Sequence, residues 1–133
     1  MLYKVLADII VIAHLLWVLF MLEGFILTFR GFFKKEFFDR WLFRILHLSG
    51  IVYVSILAAL GRYCPLTLWE NYLRSKYDIA LTYPGSFIIH YAERLLYPGI
   101  NHLLIFIPTI IIAAFVVSVF IIRPPKRIRE IFK

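Results

Sequence analysis

Cysteine is almost missing from this chain of 133 residues: Cys64 stands alone, so no disulfide can close within it and nothing decisive follows about redox compartment. No CxxC or HxxxH spacing marks a metal site. No nucleophile–base–orienter set can be read from the spacing of polar residues. No segment is repeated or low in complexity. Charge is scarce, at 17% of residues, and eight acidic side chains face fifteen basic ones. What is plentiful is apolar surface: 62% hydrophobic and 18% aromatic residues, with mean hydropathy +0.85. Soluble domains are roughly half apolar, so lipid is the solvent that this composition suits. The formal net charge of +7 would suit nucleic acid if the basic residues formed a face. They flank apolar segments instead, which is the pattern of membrane orientation, and no nucleic-acid partner is expected.

Three apolar segments are long enough to cross a bilayer. The first covers residues 2–29, broken only by Lys4, Asp8, His14 and Glu23; the second 41–61; the third 101–122, stopped by Arg123-Pro124-Pro125. The first run exceeds the apolar region of a secretion signal, and no small-residue cleavage site follows, so it reads as a span. Pro108 is expected to kink the third span or to leave a carbonyl for Thr109 or a neighbour to satisfy. The fold class expected is an all-α integral membrane protein in one domain. Residues 30–40 and 123–133 are a connection and a tail rich in basic residues (Arg30, Lys34, Lys35, Arg40; Arg123, Lys126, Arg127, Arg129, Lys133). The positive-inside rule puts both in the cytoplasm, and residues 62–99 and the N-terminus outside.

The insert 62–99 reads as two short helices capping the bundle. Thr67 followed by Glu70 is a capping box, with the first helix running from Thr67 to about Tyr77. Tyr83-Pro84-Gly85 is a turn, and Ser86 caps a second helix, Phe87 to Tyr97, too short to span. Ionisable residues in lipid need partners. If the first two spans form a hairpin, residues whose numbers sum to about 70 share a depth. That pairs Glu23 with His47, and Asp8 with Arg62. His14 lies about half a turn round the helix from Glu23 and must look elsewhere. His90, Arg94 and Tyr97 share a helical face; with Cys64, His102 and Glu70 or Glu93 they could gather at one membrane face. A pocket is expected there, lined by His14, His90, Tyr97 and the start of the Thr67 helix.

These residues resemble a family of small bacterial membrane proteins, "domain of unknown function 2784". The resemblance covers nearly the whole chain. It rests on His14-Leu-Leu-Trp-Val-Leu-Phe, on His47, on Cys64-Pro65-Leu66-Thr67-x-x-Glu70-x-x-Leu73-Arg74, on Gly85-Ser86-Phe87-Ile88-x-His90, and on Arg94-Leu95-Leu96-Tyr97. It implies a multi-pass protein of the bacterial inner membrane, and carries His14, His47, Cys64, Thr67, Glu70, Arg74 and His90 as motif positions. His102 is not part of the pattern.

Three classes of function follow. The first is a non-enzymatic accessory or assembly subunit, with Glu70, Arg74, His90, Glu93 and Arg94 as an inert polar network, and a membrane-protein partner or self-association. The second is a redox protein binding b-type haem or a metal through His14, His47 and His90. The third is a binder of a quinone, lipid or other small hydrophobic molecule beneath the cap. An enzyme using Cys64 or the carboxylates comes last.

Overall fold

The computed structural model describes residues 1–31, 33, 36, 39–96 and 98–131, the side chains of Lys126 and Arg127 excepted. Lys34, Lys35, Lys133 and Tyr97, which carry part of the orientation signal and of the expected pocket, lie outside the described residues. Among those described, all regular structure is helical: α1 (Leu2–Arg30), α2 (Trp41–Ala59), α3 (Pro65–Tyr77), a 3₁₀ turn (Ile79–Leu81), α4 (Phe87–Leu95), α5 (Leu103–Ile122) and α6 (Lys126–Ile131). Helices α1, α2 and α5 are long and apolar enough to cross a membrane.

Helix α1 is the spine. Its 29 residues reach about 43 Å at ~1.5 Å each, well beyond a hydrocarbon core of about 30 Å. Its buried residues include Ala7, His14, Met21 and Thr28, one at every seventh position, with Gly24 between the last two. That spacing is a seam of the kind that lets helices lie side by side. The outward positions, among them Val5, Ile9, Ile12, Leu16, Leu19 and Ile26, are apolar and exposed. Lipid-facing residues are as greasy as core ones, so small and polar side chains mark the seam where hydrophobicity cannot.

In the C-terminal half of α1 the seam meets α2 and α5. Met21, Ile51, Ala113 and Val116 form the core, wrapped by Trp17, Phe20, Phe25 and Phe115. Helix α2 stops in a Schellman motif: the Arg62 N–H donates to the Leu57 carbonyl at 2.8 Å and Gly61 N–H to Ala58 at 3.1 Å. Gly61 there has φ +63, which costs glycine nothing and other residues strain. Helix α5 continues through Pro108. The Thr109 hydroxyl donates to the Ile105 carbonyl at 2.7 Å, one residue short of the Leu104 carbonyl that Pro108 leaves without its helical donor.

The insert packs differently from its sequence expectation. Helix α3 begins at Pro65, not Thr67, and no side chain caps it. Proline suits this first turn because its missing N–H would go unused there. The Thr67–Glu70 capping box is therefore not formed; Glu70 turns inward to other partners. Ser86 does cap α4, its Oγ accepting from Ile89 N–H at 3.3 Å, though α4 ends at Leu95. Helix α3 makes the most extensive helix–helix contact in the chain, with α1. It lies along the spine.

Candidate functional site

Glu70 organises the insert. It is wholly buried, and each carboxylate oxygen has donors. Arg74 Nε donates to Oε1 at 2.9 Å, the spacing of one helical turn. The Tyr83 hydroxyl donates to Oε2 at 2.8 Å. Arg74 Nη2 also donates to the Tyr91 hydroxyl at 3.3 Å, which in turn donates to Oε1 at 3.3 Å. A charge taken out of water must be compensated in this way or it destabilises by several kcal/mol. Burial alone would lower the Arg74 pKa, but the hydrogen bond and charge of Glu70 outweigh it and hold the guanidinium firmly charged. Burial first, then the Glu70 hydrogen bond and charge, push the Tyr83 phenol far up. Tyr91 rises for the same reasons.

Asn71, the next residue of α3, clamps the backbone of Tyr83. Its Nδ2 donates to the Tyr83 carbonyl at 2.9 Å, and its Oδ1 accepts the Tyr83 N–H at 3.1 Å. The Tyr83 ring stacks on His90 with centroids 3.7 Å apart. So His90 serves the Tyr83 turn and does not face His14. Glu93 accepts from the N–H groups of Gly99 and Ile100, both at 3.0 Å, tying down the turn before α5. Arg94 is exposed.

His47 of α2 occupies a niche of its own against the C-terminal half of α1. Its Nε2 lies 3.0 Å from the Met21 carbonyl. A carbonyl only accepts, so the proton sits on Nε2. The ring stacks on Phe43 and meets Phe20 edge-on. Gly24 makes this possible: a Cβ there would overlap the His47 ring. The expected Glu23–His47 pair is not formed, and Glu23 is exposed. The depth rule placed His47 within a turn of its true partner, but the partner is backbone. Asp8 and Arg62 are likewise both exposed, and the pair expected between them is not formed.

His14 is different. Only 4% exposed, it stacks on Phe87 of α4 with centroids 4.1 Å apart, and its Nδ1 is buried with no hydrogen-bond partner. It lines a cavity of about 200 Å³ together with Thr67 and Cys64 of α3, Trp17 of α1, and His102 and Phe106 of α5. The rest of the lining is mostly apolar, running along α2 from Arg62 at the insert to Ile51 in the core. Thr67 is 1% exposed, so the cavity carries two buried polar side chains in a greasy wall. His14, Cys64, Thr67 and His102 thus line one cavity, whereas His90 does not.

Helix register follows from these contacts. Met21 packs with Ala113, and Thr28 shares a niche with Val116, offsets of 92 and 88 in residue number. On that register His14 is level with residues 102–106, the start of α5. His14, His47 and His90 do not meet at one space: His47 borders a smaller niche with Thr28, Arg44 and Phe120, and His90 borders neither. Among the described residues no group of three His, Cys, Asp or Glu side chains is arranged to hold a metal ion.

Three membrane-length helices, with a short two-helix insert closing one side of an apolar cavity, fit a small multi-pass membrane protein. The chain belongs to the family described as "Protein of Unknown function (DUF2784)", whose model matches residues 4–125. No match emerges among curated proteins or among solved structures.

Proposed function

We propose that this protein binds a small hydrophobic molecule in the cavity between α1, α2, α5 and the insert, with His14 as its hydrogen-bonding contact. The observation that carries this is a mostly apolar cavity of about 200 Å³ with the buried imidazole of His14 in its wall. Apolar cavities of about 150 Å³ already take up benzene, so this one has room for a small hydrophobic molecule. Cys64, the single cysteine, lines the same cavity and is half-buried. Its labelling by a hydrophobic maleimide therefore reads occupancy directly. In nanodiscs, at least one of a panel of decanol, lauric acid and a decyl-substituted benzoquinone should slow labelling about tenfold. If none of them slows it, the cavity is not a binding site.

The basic connection and tail support an orientation with the insert on the outer face of a bacterial inner membrane. Labelling of substituted cysteines from either side checks it. A second reading, a non-enzymatic accessory subunit, is favoured by the Glu70 network, whose groups satisfy one another and leave no reactive one open. A constant partner on purification from the membrane would support it; a chain that purifies alone would count against it.

A further inference from the structure

Two imidazoles border the cavity, from different helices and at one depth. His14 belongs to α1 and His102 precedes the first turn of α5, and the register of α1 on α5 puts them level. We infer that the cavity takes a planar six-membered ring with oxygens at opposite positions, a quinone or quinol head group, held between His14 and His102. This rests on the reading of the cavity as a ligand site.

Four features lead there. The volume, about 200 Å³, exceeds the roughly 150 Å³ that holds benzene by an amount suited to one substituted ring, not a macrocycle. Aromatic side chains, Trp17, Phe87 and Phe106, border the space at the level of the two imidazoles, where a flat ring would stack. Below them the lining turns aliphatic, through Val54 and Ile51 of α2 and Ile112 of α5, a channel for an alkyl or isoprenyl substituent. The fourth feature is hydrogen-bonding capacity. A buried N–H without an acceptor is rarer than a lone pair without a donor, so the partnerless Nδ1 of His14 favours the proton on Nε2. His102 is exposed, stacks on Phe106 and makes no capping bond to α5. A neutral imidazole offers a donor at one nitrogen and an acceptor at the other, so the pair can hold quinone carbonyls or quinol hydroxyls. A plain alkyl chain in the same space would give neither imidazole a hydrogen-bond partner.

Trp17 borders the cavity while Trp41 and Trp69 do not, which provides the assay. In a Trp41→Phe/Trp69→Phe background in nanodiscs, decyl-benzoquinone should quench Trp17 fluorescence saturably. His14→Phe and His102→Ala should each weaken that binding about tenfold, and His14→Gln, which keeps a donor, by much less. In all three variants the thermal midpoint should stay close to the parent's, showing that the fold is intact. If decanol protects Cys64 but the quinone neither quenches saturably nor protects, the ring assignment is overturned and the binding site stands. If the quinone binds with equal affinity to the parent and to either variant, the clamp is overturned. If no compound protects Cys64, the site itself is refuted and the clamp with it.

Discussion

The two halves of α1 each bury a histidine, and the surroundings treat them in opposite ways. Around His47 everything is provided: Gly24 vacates the space, Met21 lends a carbonyl, and Phe20 and Phe43 enclose the ring. Around His14 the ring has a stacking partner in Phe87 and lines open space, but its buried Nδ1 has no hydrogen-bond partner. Both residues lie among apolar helices, both are almost fully buried, and residue type cannot tell them apart. Backbone can. An imidazole donating to a helix carbonyl is a packing element, whereas one beside a cavity with a nitrogen unpaired is placed to meet something that is not protein.

The sharpest way to break the first half is at Gly24. Gly24→Val forces a side chain into the His47 ring, and overpacking plus the lost hydrogen bond should cost about 3 kcal/mol or more, read as a large fall in thermal midpoint in nanodiscs. Next comes the insert. Glu70→Leu strands Arg74 and should cost about 3–5 kcal/mol, the range for breaking a buried pair, while Glu70→Gln should cost clearly less by keeping the tyrosine bonds. Hydrogen exchange should show the loss confined to α3 and α4, with α2 and α5 still protected. Equal exchange throughout would mean that the insert and the bundle unfold as one.

A smaller contrast separates the histidines themselves. His47→Phe should cost about 1–2 kcal/mol, for a lost hydrogen bond, whereas His14→Phe should be within about 0.5 kcal/mol of the parent because it loses none to protein. The smallest effect is one of pH. Burial lowers the pKa of His90; the Glu70 charge opposes this, and Arg94 and Arg74 reinforce it. A histidine with its folded pKa depressed contributes stability that is present above about 6.5 and is lost as pH falls through the folded value. The insert should therefore loosen on going from pH 7.5 to 5.5, and His90→Phe should flatten that dependence, as followed by proteolysis in the 78–86 loop.

Some of this was legible in the residues. Hydropathy places the spans within a few residues, because lipid acts on every side chain in a helix at once. The sum-to-70 rule gives the depth of His47 but not its partner, since a backbone carbonyl has no letter in a sequence. The Thr67–Glu70 spacing fits a capping box on paper. It fails because Tyr83 and Tyr91, distant in the chain, offer Glu70 buried hydroxyl donors in place of the helix-start N–H. The contacts of Tyr83, Asn71, Tyr91 and Phe87 are not legible for the same reason: they depend on how a turn folds back. The recurrence of Ala7, His14, Met21 and Thr28 at sevenfold spacing, with Gly24 between, is the only mark of the buried seam on a helix that is apolar all round.

The division between the two histidines is tested most directly by cavity occupancy in paired variants. Cys64 labelling in nanodiscs, with and without the panel compound that protects it best, would be measured in His14→Phe and in His47→Phe below their unfolding temperatures. The account predicts that protection is lost in His14→Phe and kept in His47→Phe. Protection that survives in His14→Phe, or that disappears equally in both, would contradict it.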